Sequence, residues 1–200
     1  MDYQFLLKHS PVLQYSEDID RKVETLTYLI FNRFSAYKGS DPLLVLPVLS
    51  GAYKFAADLL SRLELPVEIR FIRARSYEGM ESSGRVSIEG VTPSHIQKRR
   101  VLVVEDIVDT GLTMKMIREA LLSCRPGSLA LCSMFDKPDR RKPGVKVNLD
   151  FLGYKIPDRF VIGYGLDFDG LFRNLPDVRY FDDEALAFLT DQGYIGGDRR

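Results

Sequence analysis

Apolar residues recur along the chain in two rhythms. Ile19, Val23, Leu26, Ile30 and Phe34 lie three or four residues apart, which predicts a helix over about 18–37. Ser16, followed by Glu17 and Asp18, has the marks of its N-terminus: a hydroxyl able to cap and acid in the first turn. Phe55, Leu59, Leu60 and Leu63 form a second helical pattern that Pro66 ends, and Leu112–Leu122 forms a third. Between them stand short unbroken apolar runs: Leu43-Leu44-Val45-Leu46, Val101-Leu102-Val103-Val104 and Leu129–Phe135. Such runs suit buried strands. Val67-Glu68-Ile69-Arg70-Phe71 alternates, also as a strand.

In order these elements read β-α-β-loop-β-α-β. That alternation implies an α/β fold, an open and mainly parallel sheet flanked by helices. Ligands in such sheets bind beyond the carboxyl ends of the strands. The loop covers 76–98, where Gly79, Ser82, Ser83, Gly84 and Gly90 interrupt any period and only Val86–Ile88 suggests a short strand. A connection this long inside a compact domain is usually functional or disordered. Pro47, inside the first apolar run, removes a ladder donor and points to an edge or a bulge. The tail from Asp182 begins acidic, carries the apolar stretch Ala185–Leu189 and turns polar after Gly196-Gly197. A short helix and a frayed end are expected there.

The chain has 200 residues, 45% hydrophobic and 28% charged, which fits a single domain over 1–200 with its own core. Its 28 basic residues equal its 28 acidic ones, so the basic excess of a nucleic-acid binder is missing. No apolar run approaches the roughly 20 residues that span a bilayer. Met1-Asp2-Tyr3-Gln4 does not open a signal peptide. The expected location is cytoplasmic, with no membrane and no nucleic-acid partner. Cys124 and Cys132 form no CxxC pair and read as buried thiols, and His9 and His95 lack ligand-like companions. A zinc site is therefore not expected; a metal here would be a hard ion held by carboxylates.

Chemistry concentrates in Val101-Leu102-Val103-Val104-Glu105-Asp106-Ile107-Val108-Asp109-Thr110-Gly111-Leu112-Thr113. Glu105 and Asp106 are placed where the buried strand ends. Asp109, Thr110, Gly111 and Thr113 lead into a helix whose first N–H groups, with two hydroxyls and a glycine, suit a phosphate. Carboxylates do not bind phosphate directly; they accept from sugar hydroxyls or hold a divalent ion. Together these describe a ligand with a phosphate at one end and a diol nearby, a ribose 5-phosphate. No GxxxxGK[ST] string is present, which excludes a P-loop.

The thirteen-residue string resembles the phosphoribosyl-pyrophosphate motif of the type I phosphoribosyltransferases. Phe71-Ile72-Arg73-Ala74-Arg75-Ser76-Tyr77, Ser133-Met134-Phe135-Asp136-Lys137-Pro138 and Pro157-Asp158-Arg159-Phe160-Val161-Ile162-Gly163-Tyr164-Gly165-Leu166-Asp167, continuing to Leu175, are similar to hypoxanthine-guanine phosphoribosyltransferases. The resemblance spans roughly 40–176. It implies the type I fold, with a core over about 18–150 and a small hood from the N-terminal segment and about 151–200.

It also implies roles. Glu105, Asp106, Asp109, Thr110, Gly111 and Thr113 would bind phosphoribosyl, with Asp109 as general base or acid at N7 of the purine. Ile107, Lys137, Phe160, Val161 and Asp167 would form the base site. Lys137 would donate to a 6-oxo group and so disfavour adenine, Phe160 would stack on the purine and Val161 would act through its carbonyl. Ser50, Gly51 and Arg173 would meet pyrophosphate. Mg2+ would be held by Glu105 and Asp106, with Asp167 reaching it through water. Ser76 and Tyr77 would hinge a lid over a site that must exclude water.

The implied partners are phosphoribosyl pyrophosphate, a 6-oxopurine and further copies of the chain in a dimer or tetramer. The turn Leu49-Ser50-Gly51 departs from the family's usual Leu-Lys-Gly, a turn with a non-proline cis peptide, so any contribution of a lysine side chain is lost there. A xanthine-preferring enzyme and a non-catalytic phosphoribosyl-pyrophosphate sensor are the alternatives on the same fold.

Overall fold

A computed structural model describes residues 1–36, 41–75 and 87–195. In chain order its elements are α1 (Tyr3–Lys8), β1 (Val12–Gln14), α2 (Ser16–Ser35), β2 (Leu43–Pro47), α3 (Tyr53–Ser61), β3 (Val67–Ile69), β4 (Arg73–Arg75) and β5 (Ser87–Glu89). Then come α4 (Pro93–Ile96), β6 (Arg100–Val108), α5 (Leu112–Ser123), β7 (Ser128–Asp136), β8 (Phe151–Lys155), β9 (Val161–Ile162), β10 (Val178–Tyr180) and α6 (Asp183–Asp191). The chain forms two compact units, Lys22–Pro157 and Met1–Arg21 with the segment from Asp158 onward. Ser76 and Tyr77, with the rest of 76–86, lie outside the described residues, whereas 87–98 of the expected loop carries β5 and α4.

In the larger unit the five strands of the main sheet are parallel, in the order β3-β2-β6-β7-β8. The apolar runs form its centre because both faces are covered: every residue of β2 is buried, as is β6 from Val101 to Asp106. Leu44, Leu46, Val101, Val103 and Leu131 meet Met114, Ile117 and Leu121, which recur on one side of α5. From β2 the chain passes outward to β3, then returns to β6 on the other side of β2. The switch point therefore lies between the carboxyl ends of β2 and β6, where an open α/β sheet presents its ligand crevice.

The alternating Val67–Phe71 run pairs only as Val67–Ile69. Pro47 is not on an edge strand: β2 lies between β3 and β6, and Pro47 is its last residue, in register with Val104. Proline removes only its own N–H from the ladder, and the chain beyond β3 still bridges at Ile72 to Val48, just past β2. The Pro47 carbonyl accepts from Ile72 N at 3.0 Å, and Leu49 N donates to Ile72 O at 2.8 Å. The string around Glu105 and Asp106 is also not a strand end. β6 runs on to Val108 because β7 continues beside it, Glu105 opposite Ser133 and Val108 opposite Asp136. What ends is β2, which turns away and uncovers one edge of β6 at the acid pair.

The smaller unit carries the antiparallel sheet β1-β10-β9. Its core is Leu6, Ile162, Phe168, Phe172, Phe181, Ala185 and Leu189. Phe160 stacks on Phe181, with ring centroids 5.6 Å apart. The tail forms α6, capped by Asp182, whose carboxylate accepts from Ala185 N at 2.9 Å. Cys132 is buried and Cys124 half-buried.

Candidate active site

Asp106 and Gly51 are in intimate contact across the switch point. A Cβ added at Gly51 would fall 1.6 Å from Asp106 Oδ2. The Leu49–Ser50 peptide before it is cis. Asp106 Oδ1 accepts from Ile107 N at 2.7 Å, so the carboxylate is held from both sides. Glu105 is 7% and Asp106 9% exposed. Burial, and next the charge of Asp106, push the Glu105 carboxyl well above the usual carboxylate range.

After Val108 the chain enters α5 through Asp109, Thr110 and Gly111. Gly111 has φ +79°, and a Cβ there would meet Arg141 Cδ at 2.7 Å, so glycine is required twice over. The first N–H groups of α5 are those a helix leaves without internal partners. A cavity of about 260 Å³ opens in front of them, lined among others by Glu105, Ile107, Asp109, Thr110, Gly111 and Thr113. Six of the expected residues thus share one concave site at the carboxyl end of β6.

Lys137 follows the last residue of β7 and is only 6% exposed. Its Nζ lies 3.8 Å from Asp109 Oδ2. Arg140 Nε donates to the other oxygen, Asp109 Oδ1, at 3.2 Å. Asp109 therefore lies between two cations contributed by one short turn, Pro138–Arg140 and the lysine before it. Arg140 was not anticipated, and neither was Arg141. They belong to the charged run Asp139-Arg140-Arg141-Lys142, which has no motif of its own. The only available signal was their position just after a strand end.

Among the described residues no group of three or more His, Cys, Asp or Glu side chains is placed to hold a metal. The donors at hand are the oxygen-only pair Glu105 and Asp106, buried and mutually repelling. A hard divalent ion relieves that repulsion, and two protein ligands leave most of an octahedral shell to substrate and water, as magnesium usually requires. The residues therefore fit Mg2+.

The other expected residues belong to the smaller unit. Phe160 is 36% exposed and Val161 is buried in β9. Asp167 lies between two tight turns, Gly163–Leu166 and Phe168–Leu171, whose central pairs Tyr164-Gly165 and Asp169-Gly170 all have positive φ. Positive φ at both central positions selects glycine and aspartate, as found in the second turn. The carboxylate of Asp167 accepts from Gly170 N at 2.8 Å and pairs with Arg173 at 2.7 Å. Arg173 also donates to Gly165 O at 2.6 Å. Asp167 and Arg173 are thus brought together, within one compact loop.

Residues 14–169 match the phosphoribosyl transferase domain family. The chain is 41% identical over 177 residues to the hypoxanthine-guanine phosphoribosyltransferase of Aquifex aeolicus, covering 88% of this chain and 97% of that protein. It is 39% identical over 168 residues to the hypoxanthine phosphoribosyltransferase of Haemophilus influenzae, covering 84% and 92%. Among solved structures it is similar to a mutant hypoxanthine phosphoribosyltransferase of Trypanosoma cruzi in a ternary complex with substrates, at TM-score 0.80 and 34% identity over 90% of this chain and 99% of that one. With this fold, this cavity and these relatives, the chain belongs to the hypoxanthine-guanine phosphoribosyltransferases, on the type I phosphoribosyltransferase fold.

Proposed function

We propose that the chain transfers the 5-phosphoribosyl group of phosphoribosyl pyrophosphate to hypoxanthine or guanine, giving IMP or GMP and pyrophosphate in purine salvage. The observation that carries this is a cavity lined by Glu105, Asp109 and the start of α5, with the buried Lys137 3.8 Å from Asp109. Together these residues offer anion donors, sugar-hydroxyl acceptors and a cation.

The 5′-phosphate rests on the N–H groups and hydroxyls of Asp109–Thr113, where the helix start favours negative charge. Glu105 and Asp106 accept from the ribose hydroxyls and would hold Mg2+. A magnesium ion held there would supply positive charge for the departing pyrophosphate. The N–H groups of the Ser50-Gly51 turn and Arg173 serve the same departing charge. Lys137 donates to the 6-oxo oxygen of the base, which an adenine amino group cannot accept. Phe160 stacks on the purine, Val161 contributes its carbonyl, and Ile107 lines the base site. Asp109 handles the proton at N7, a contribution of about 10²–10⁴-fold. Asp167 would support magnesium through a water. Ser76 and Tyr77 begin the lid that excludes water from the cation-like sugar.

In this reading the larger unit is the core and the smaller one the hood. The working form is a homodimer or homotetramer in the cytoplasm, with no nucleic-acid partner. Among the described residues no helix is long and apolar enough to cross a membrane.

A steady-state assay with phosphoribosyl pyrophosphate, magnesium and each of hypoxanthine, guanine, xanthine and adenine tests the proposal. Turnover of hypoxanthine or guanine is expected, with adenine rejected. Preference for xanthine, or donor binding without turnover of any base, would replace it with one of the two alternatives.

A further inference from the structure

At the end of β6 the backbone loses its sheet partners. Val108 O still accepts from Lys137 N at 2.9 Å, but the carbonyl of Asp109 needs a donor on the way into the 109–113 loop. Arg141 fills that gap. Its Nη1 donates to Val108 O at 3.2 Å and also to Asp109 O. Its Nη2 pairs with the carboxylate of Asp136, the last residue of β7, which lies in register with Val108. Both side chains are largely buried, Arg141 at 17% and Asp136 at 9% exposure. The aliphatic stem of the same arginine occupies the space that a Cβ on Gly111 would need. The loop is held from the backbone too: Lys142 N donates to Thr110 O at 3.2 Å.

We propose that Arg141, anchored by Asp136, is a positioning residue for the phosphoribosyl-binding loop. It touches neither substrate nor reacting atoms. It fixes the carbonyls on either side of the loop entrance and thereby the orientation of the Asp109 carboxylate and of the first N–H groups of α5. A guanidinium suits this task because its planar fork serves three acceptor oxygens at once, which an ammonium on a flexible stem does not. The proposal rests on the reading of this loop as a ribose 5-phosphate site.

The test measures binding of ribose 5-phosphate, and separately of magnesium pyrophosphate, by calorimetry on wild type, Arg141→Gln, Arg141→Lys and Asp136→Asn, with thermal unfolding of each. Ribose 5-phosphate depends on the loop, whereas pyrophosphate engages the Ser50-Gly51 turn. Arg141→Gln is expected to weaken ribose 5-phosphate binding about 10- to 100-fold, the usual effect of removing a group that orients ligand-binding residues. Magnesium pyrophosphate binding should change by less than about threefold, and Arg141→Lys, which keeps the charge and lowers the risk of misfolding, should not restore the loss. Undiminished ribose 5-phosphate binding by the two arginine variants overturns the proposal while the functional reading stands. Equal loss of both ligands in every variant reduces Arg141 to a general structural role and also overturns it. Failure of wild type to bind ribose 5-phosphate overturns the functional reading and the proposal with it.

Discussion

Replacing Gly51 by alanine should damage the site through Asp106 and not through the backbone. Gly51 does not adopt a left-handed conformation, so alanine fits its dihedral angles. The difficulty is spatial. The new Cβ would stand 1.6 Å from Asp106 Oδ2, and ordinary contact begins at 3.4 Å, so the oxygen must retreat by about 1.8 Å. That retreat strains the 2.7 Å bond from Ile107 N and takes the carboxylate away from where ribose and magnesium need it. Misplacement on the order of 1 Å at a positioned group costs about 10²-fold in rate. Gly51→Ala should therefore lower kcat/KM for phosphoribosyl pyrophosphate about 100-fold. A double-mutant cycle isolates the cause. With Asp106 cut back to alanine the clash is gone, and Gly51→Ala should then cost less than about threefold, a strongly non-additive result. Full additivity, or near-wild-type kcat/KM in Gly51→Ala, would refute the reasoning.

Three further outcomes are expected. Asp109→Asn should lower kcat by about 10²–10⁴-fold while changing donor affinity little, measured by single-turnover kinetics and equilibrium binding. Glu105→Gln removes a buried acid whose ionisation the fold disfavours; it should raise Tm of metal-free protein in EDTA at neutral pH yet weaken magnesium-dependent donor binding about tenfold or more. Glu68 accepts from Arg70 at 2.6 Å and Arg99 at 2.9 Å, and the hydrogen bonds from these two guanidiniums hold its carboxyl below the usual range. A depressed carboxyl adds stability at neutral pH that is lost as pH falls through its folded value, so the Tm deficit of Glu68→Gln should shrink on acidification; because the pair is partly exposed, the deficit should stay below about 1 kcal/mol.

The parallel sheet was legible because its strands are buried on both faces and so appear as unbroken apolar runs, from Leu43 to Leu46 and from Leu129 to Phe135. The phosphate loop was legible because its requirements are local: an apolar strand, two acids, and a glycine at the one position where φ is +79°. What stayed hidden depends on which strands become neighbours. β6 extends to Val108 only because β7 accompanies it, and Pro47 ends an interior strand whose pairing resumes through Ile72, beyond β3. The short α1 and β1 gave no period to read, since β1 is defined by its pairing with the distant β10. Arg140 and Arg141 gain their roles from the carboxylates of Asp109 and Asp136 across a turn, a relation that a run of charged residues does not encode.

The central claim concerns where a sugar phosphate is gripped. A crystal structure of the protein with phosphoribosyl pyrophosphate, magnesium and an unreactive purine analogue tests it most directly. The account predicts the 5′-phosphate on the amides of Asp109–Thr113, the ribose hydroxyls on Glu105 and Asp106, and the base beside Lys137. Donor density elsewhere, with that loop empty, would contradict it.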